Sequence, residues 1–187
     1  MTETHSNLLP PRRAFLTRSI ALIGGLGLGC GSVGGTGIPR VPPITLPFPV
    51  HKAGARVETD VRIAEDRDYR FILMFMFKTP EERKRISELV GGSYIVTDLK
   101  DRPVRPGVTV PVRLTVRSIR NGEPNELLLD ERFLTEAHEA YSANYFNRFF
   151  AVMRLAQGQY RVTVETLQDV PEFEGVESNF YIYSRYL

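Results

Sequence analysis

The residues with the most chemical promise lie early in the chain. Gly29-Cys30-Gly31-Ser32-Val33-Gly34 spells G-x-G-x-x-G. In a strand–turn–helix unit that spacing brings backbone N–H groups onto a pyrophosphate. The motif needs a helix after it, but the next residues are GTGIPRVPPITLPFP, with four prolines from Pro39 to Pro47. Proline removes a donor and breaks a helix interior, so no βαβ unit forms and the nucleotide reading fails on context. His138-Glu139-Ala140-Tyr141-Ser142 begins like H-E-x-x-H, but Ser142 stands where the second zinc ligand belongs. His138 is therefore expected in a solvated loop, and His51 has no partner in sequence. No serine sits in G-x-S-x-G, and Gly92-Ser93-Tyr94 reads as the loop after a helix. Glu65-Asp66-Arg67-Asp68 lacks the glycine and distal glutamate of a calcium loop and reads as a solvated turn. Asp130-Glu131 reads as an exposed strand end. The expectation is a protein with no metal, no cofactor and no enzymatic activity.

The glycine motif fits an export signal better. Residues 11–18 read PRRAFLTR, residues 19–29 read SIALIGGLGLG, and Cys30 comes next. That is a positive n-region, a short apolar h-region and a small-residue cleavage zone. Eleven uncharged residues are too few for a permanent span, which needs about 20. Arg12, Arg13, Phe15 and Leu16 resemble the core of a bacterial twin-arginine signal. Pro11 and Thr17 depart from that pattern, which leaves general secretion as the other route. Leu26-Gly27-Leu28-Gly29-Cys30 resembles a lipobox, which implies that Cys30 is acylated and becomes the new N-terminus. Cys30 is the sole cysteine, so it cannot form an internal disulfide, and a lipid attachment point is the simplest use for it. Gly31 replaces the aspartate that signals inner-membrane retention in such families, which favours the outer membrane.

Removing residues 1–29 takes three arginines from 24 basic residues and one glutamate from 22 acidic ones, leaving 21 of each sign. A neutral mature chain lacks the positive footprint that nucleic acid requires. Its 158 residues suffice for one domain with a core. The expected organisation is an export signal over 1–29, a lipid anchor and tether over 30–43, and a folded domain over 44–187.

In that domain the dominant period is two. RVETDVRI (56–63) puts Val57, Thr59, Val61 and Ile63 on one face, a half-buried strand. YRFILMFMF (69–77) is apolar on both faces and predicts a central strand. VTVPVRLTV (108–116) is a strand that Pro111 places at an edge. Asn121-Gly122 predicts a hairpin, either with a tight turn or with a loop lengthened by Glu123-Pro124, and with Glu126–Leu134 returning. Thr79-Pro80-Glu81-Glu82 is a capping box, and Gly91 stops the helix it opens. That helix is expected over one end of the sheets. YSANYFNRFFAVMRL (141–155) fits a helix stripe or a buried strand. Leu155-Ala156-Gln157-Gly158-Gln159-Tyr160-Arg161-Val162 resembles a tyrosine corner, as in immunoglobulin-like sandwiches. The last strand sets Phe180, Ile182, Ser184 and Tyr186 on one face and Tyr181 and Tyr183 on the other. The fold class is mainly β: an antiparallel, immunoglobulin-like sandwich with one or two short helical insertions.

Outward tyrosines suit a protein interface, so Tyr181 and Tyr183 are the candidate partner-binding residues. The whole plan resembles the single-domain lipoproteins of unknown function in Gram-negative bacteria: signal, lipidated cysteine, tether, short strands and a late L-x-x-G-x-Y-R-V. Some of these are immunity proteins against secreted effectors. The resemblance implies an envelope lipoprotein on the periplasmic side, held to the membrane by its lipid, that binds another protein. Its rival is a structural or assembly lipoprotein of an envelope or secretion complex. An envelope enzyme ranks behind both.

Overall fold

Residues 38–92, 105–136 and 140–184 are described by the computed structural model. Arg12, Arg13, Phe15, Leu16, Cys30, Ser93, His138 and Tyr186 lie outside the described residues. The strands are β1 (Ile44–Pro47), β2 (Arg56–Ile63), β3 (Arg67–Met76), β4 (Val110–Arg120), β5 (Glu123–Thr135), β6 (Ala140–Tyr141), β7 (Tyr145–Leu155), β8 (Gly158–Thr166) and β9 (Ser178–Ser184). The helix α1 spans Pro80–Val90, and a 3-10 turn spans Pro171–Phe173. One sheet has the order β1-β9-β3-β7-β6 and the other β2-β8-β4-β5, with every strand pairing antiparallel. The inner faces of both contribute to one apolar cluster. This is the β-sandwich the strand spacing predicts, with its two helical insertions.

Local chemistry explains most elements. Val57, Thr59, Val61 and Ile63 are buried as the alternation of β2 requires. β3 is central, paired with β7 on one side and β9 on the other. Burying Phe48, Phe71, Phe75, Phe173 and Phe180 fully contributes about 1.5–3 kcal/mol each. At α1, Thr79 Oγ1 accepts from Glu82 N at 3.2 Å, and Glu82 Oε2 accepts from Lys78 N at 2.7 Å. The helix ends at Gly91, whose φ of 81° suits glycine. Ile86 and Val90 reach the core and α1 rests against β7, at one end of the sandwich. Asn121 and Gly122 have φ of 54° and 83°, and Arg120 pairs with Glu123, so a two-residue turn joins β4 to β5.

Two expectations about strands change. β4 is not an edge strand: it pairs with β5 and with β8. Pro111 is tolerated because it sits at the strand's start. The β8 ladder begins only at Val112↔Thr166, and the Pro111 carbonyl accepts from Leu167 N at 3.0 Å. The ambiguous run over 141–155 is strand, and its mixed pattern comes from a bulge. The register with β3 shifts between Phe71↔Ala151 and Ile72↔Phe149, so Phe150 has no opposite residue. Phe146, Arg148 and Phe150 face inward before the bulge; Ala151, Met153 and Leu155 do so after it. A phase change inside one strand defeats a period-two reading.

The tyrosine corner is present. Tyr160 Oη donates to the Ala156 carbonyl at 2.8 Å across the short link from β7 to β8. Burial, and then the Asp66 charge, push its phenol above the ordinary value, while the bond to Ala156 opposes them.

Candidate functional site

The two sheets present opposite chemistry to their surroundings. Along β3, Tyr69, Phe71, Leu73 and Phe75 face the core. Arg70, Ile72, Met74 and Met76 therefore face outward. Tyr181 and Tyr183 of β9 join them, as do Tyr145, Asn147 and Phe149 of β7. Register sets these residues in rows across the strands. Thr45, Tyr181, Ile72 and Phe149 form one row; Tyr183, Arg70 and Val152 form the next. Asn179, Met74 and Asn147 form a third, and Met76 lies opposite Tyr145.

This face is apolar and aromatic at its centre. Ile72 is only 1% exposed although it lies outside the core cluster, so its cover comes from outer-face neighbours. The rings of Tyr181 and Tyr183 stack with centroids 5.2 Å apart. The Arg70 guanidinium lies 5.2 Å from the Phe149 ring centroid. Burial is the main cause that raises the Tyr181 phenol above its ordinary value, with Tyr145 and Tyr183 adding to it. Val152 is 56% exposed at the margin. The structure thus gathers Tyr181 and Tyr183, expected from the last strand alone, with Ile72, Met74, Tyr145 and Phe149, which no local pattern singled out. Their common signal was the doubly apolar strand at 69–77, since one of its two apolar faces had to be outside the sandwich core.

The outer face of the four-stranded sheet is charged, and several of its arginines are paired with carboxylates. Arg161 makes a two-point contact with Asp60 at 2.7 and 3.0 Å, and Arg113 makes one with Asp130 at 2.5 and 2.5 Å. Arg56 pairs with Glu58 at 2.7 Å. Arg113 holds the Asp130 carboxyl below the usual carboxylate range through its hydrogen bond. Asp130 lies in the middle of β5, not at a strand end as expected. These groups surround a depression of about 410 Å³. An antiparallel sheet commonly keeps one face polar and solvated in this way; the five-stranded sheet does not.

Among the described residues, the remaining sequence candidates do not assemble into a catalytic group. His51 lends its carbonyl to Val170 N at 3.0 Å. Asp66 accepts from Gln157 N at 2.6 Å, Glu65 pairs with Arg67, and Asp68 lies 3.8 Å from Arg154. Among the described residues no cluster of three histidine, cysteine or acidic side chains could hold a metal.

One important residue was missed. Arg148 is fully buried in β7. Its Nη1 donates to Val108 O at 2.7 Å and Thr135 O at 2.9 Å, and its Nη2 donates to Leu89 O at 2.8 Å. The guanidinium carbon lies 5.3 Å from the Phe75 ring centroid and 5.5 Å from that of Phe173. Leu89 lies in the last turn of α1, where the helix dipole favours a cation. Arg148 therefore fastens the helix, the approach to β4 and the end of β5 to one strand.

These features define a class: an antiparallel β-sandwich with a charged outer sheet on one side and an aromatic one on the other. A family model described as a domain of unknown function (DUF5625) matches residues 45–184. The chain belongs to that family. A crystal structure of a protein from Sulfurospirillum deleyianum is similar in fold, with a TM-score of 0.66 and 23% identity, covering 80% of this chain and 100% of that one. No curated protein matches.

Proposed function

We propose that this protein is a lipid-anchored envelope protein that binds another protein through the outer face of its five-stranded sheet. The observation that carries the reading is the row Tyr181–Ile72–Phe149. The row lies on the side away from the core: Ile72 is buried beneath its neighbours, and the half-buried Tyr181 and Phe149 are the part a partner would meet. Tyrosine suits a contact surface because it adds large area at small entropic cost and keeps a polar tip. Methionine lets such a surface adapt to its partner. The central rows carry one charged side chain, Arg70, in keeping with the charge-poor centre of protein interfaces.

The signal-like segment with Arg12, Arg13, Phe15 and Leu16 supports export, and Cys30 supports acylation. An anchored protein on the periplasmic side would meet incoming effectors where they act, so the partner is a secreted effector and the role is immunity. The experiment is mixed-culture survival. A strain lacking the gene is grown beside its parent, and beside a parent with its secretion apparatus disabled. Death beside the active parent alone supports the reading; equal survival in both cultures overturns it. Membrane fractionation of a Cys30→Ala variant tests the anchor, which predicts release into the soluble fraction.

A further inference from the structure

The charged sheet carries a second surface with a chemistry of its own. Its depression of about 410 Å³ is lined from all four strands. Register sets the lining in three rows: Arg56, Glu165 and Arg113; then Glu58, Thr163, Thr115 and Asp130; then Arg161 and Arg117. The hollow exists because two short threonines occupy the middle of the central row while long charged side chains ring them. Thr163 Oγ1 donates to Glu58 at 3.1 Å and Thr115 Oγ1 to Asp130 at 3.4 Å. A hydroxyl that donates still has lone pairs with which to accept.

Pairing disposes of most of the charge. Arg56 is joined to Glu58, Arg113 to Asp130, and Arg161 to Asp60, with Glu58 3.7 Å from Arg161. Two lining charges are left. Among the described residues neither Arg117 nor Glu165 is in an ion pair. Arg117 stands directly opposite Arg161 on β8 and Leu127 on β5. Like charges facing each other on a sheet are unfavourable, and an anion between them would relieve this. The neighbouring carboxylates do not supply it. Asp130 is bound by Arg113, and Arg117 acts on it only through space, behind Arg113. Asp60 takes Nε and Nη2 of Arg161, which leaves the Nη1 donors. Glu123 and Glu126 of β5 do not line the depression, and Glu123 ranks behind Asp60 and Glu58 in its action on Arg161. Glu165 lies between Arg56 and Arg113 in its row.

We propose that this depression binds the phosphomonoester of a phosphorylated sugar. Arg117 and the free side of Arg161 take the phosphate, since a dianion matches two facing guanidiniums where a carboxylate matches one. Glu165 accepts from the sugar hydroxyls, and the Thr115 and Thr163 oxygens accept from others. An anion without hydroxyls leaves Glu165 unanswered, and a neutral sugar leaves Arg117 so. Arg117 and Glu165 are about 14 Å apart at Cα, four residues along the strand and one strand over, a gap that two lining side chains and one sugar phosphate span. The site shares no residue with the aromatic face, so it stands or falls apart from protein binding there.

The test is an NMR titration of the ¹⁵N-labelled full chain with glucose 1-phosphate, inorganic phosphate, glucose and acetate. The proposal predicts saturable shifts at Thr115, Arg117, Arg161 and Thr163, tightest with glucose 1-phosphate, weaker with phosphate and absent with glucose. Arg117→Gln should weaken glucose 1-phosphate at least tenfold with an unchanged melting temperature. Glu165→Gln should weaken glucose 1-phosphate several-fold and leave inorganic phosphate as it was, a split that loss of fold would not produce. Phosphatidylcholine vesicles carrying phosphatidylinositol 4-phosphate present the same chemistry as a lipid headgroup. Binding of the free sugar phosphate, of the vesicles or of both supports the site and assigns its source. No saturable shift with any of these, acetate bound as tightly as glucose 1-phosphate, or full affinity in Arg117→Gln would each overturn it.

Discussion

Replacing Arg148 tests the architecture most severely. Arg148→Met keeps a long flexible side chain but removes every donor. Three backbone carbonyls, of Leu89, Val108 and Thr135, then lose bonds of 2.7–2.9 Å. Leu89 O keeps its bond from Val108 N at 2.8 Å, so Val108 O and Thr135 O are the acceptors that lose this donor; at about 1–3 kcal/mol for each unsatisfied acceptor, the two cost roughly 4 kcal/mol. Removing the cation also returns part of the several kcal/mol spent on taking a charge out of water. The net expectation is a loss of about 3 kcal/mol, a fall in melting temperature of roughly 8–12 °C for a domain of this size. Arg148→Lys should cost at least as much. A single ammonium nitrogen cannot serve acceptors that two guanidinium nitrogens reach, yet its charge remains buried. Urea unfolding followed by circular dichroism measures both, since the chain has no tryptophan. Hydrogen exchange should show the last turn of α1 losing protection before the sheets do. A methionine variant within 0.5 kcal/mol of the parent, or a lysine variant that restores stability, would refute the reasoning.

Three further outcomes rest on the same contacts. Tyr160→Phe removes the bond to Ala156 and should cost about 1 kcal/mol in urea unfolding, with strand order unchanged. Gly107→Ala should cost more than about 2 kcal/mol, because a Cβ there would lie 2.5 Å from Leu89 O and 2.6 Å from an Arg148 guanidinium nitrogen. For Asp130 the folded carboxyl titrates below its unfolded value because of Arg113. Its stabilising effect is therefore present above the unfolded value and lost as pH falls through the folded one. A carbon-detected titration should find Asp130 returning to the ordinary carboxylate range in Arg113→Gln.

Where the sequence was legible, the determinants were local. RVETDVRI announces β2 by alternation, Thr79 to Glu82 announce α1, Asn121-Gly122 announce the hairpin, and the spacing of Gly158 and Tyr160 announces the corner. Each is settled by neighbours a few residues apart. The errors lie where distant partners decide. Pro111 argued for an edge, but only the end of β8 determines whether its missing N–H matters. Phe150 hides a bulge that exists only relative to β3. Arg148 stands in YFNRFF, in phase with Phe146 and Phe150, which was the one available sign that a cation points inward. Its acceptors lie 13, 40 and 59 residues away. The aromatic outer face was half legible: Tyr181 and Tyr183 could be placed on the outside, but Phe149 joins them only through the register of β7 on β3.

The most direct test of the central claim is photocrosslinking in living cells with a photoreactive phenylalanine at position 181, in mixed culture with the secretion-competent parent. The same group at Gln159, on the opposite sheet, serves as the control. Binding through the aromatic face predicts one discrete protein adduct from position 181 that disappears when the neighbouring strains cannot secrete, and none from position 159. No adduct at 181, or the same adduct from both positions, would contradict it.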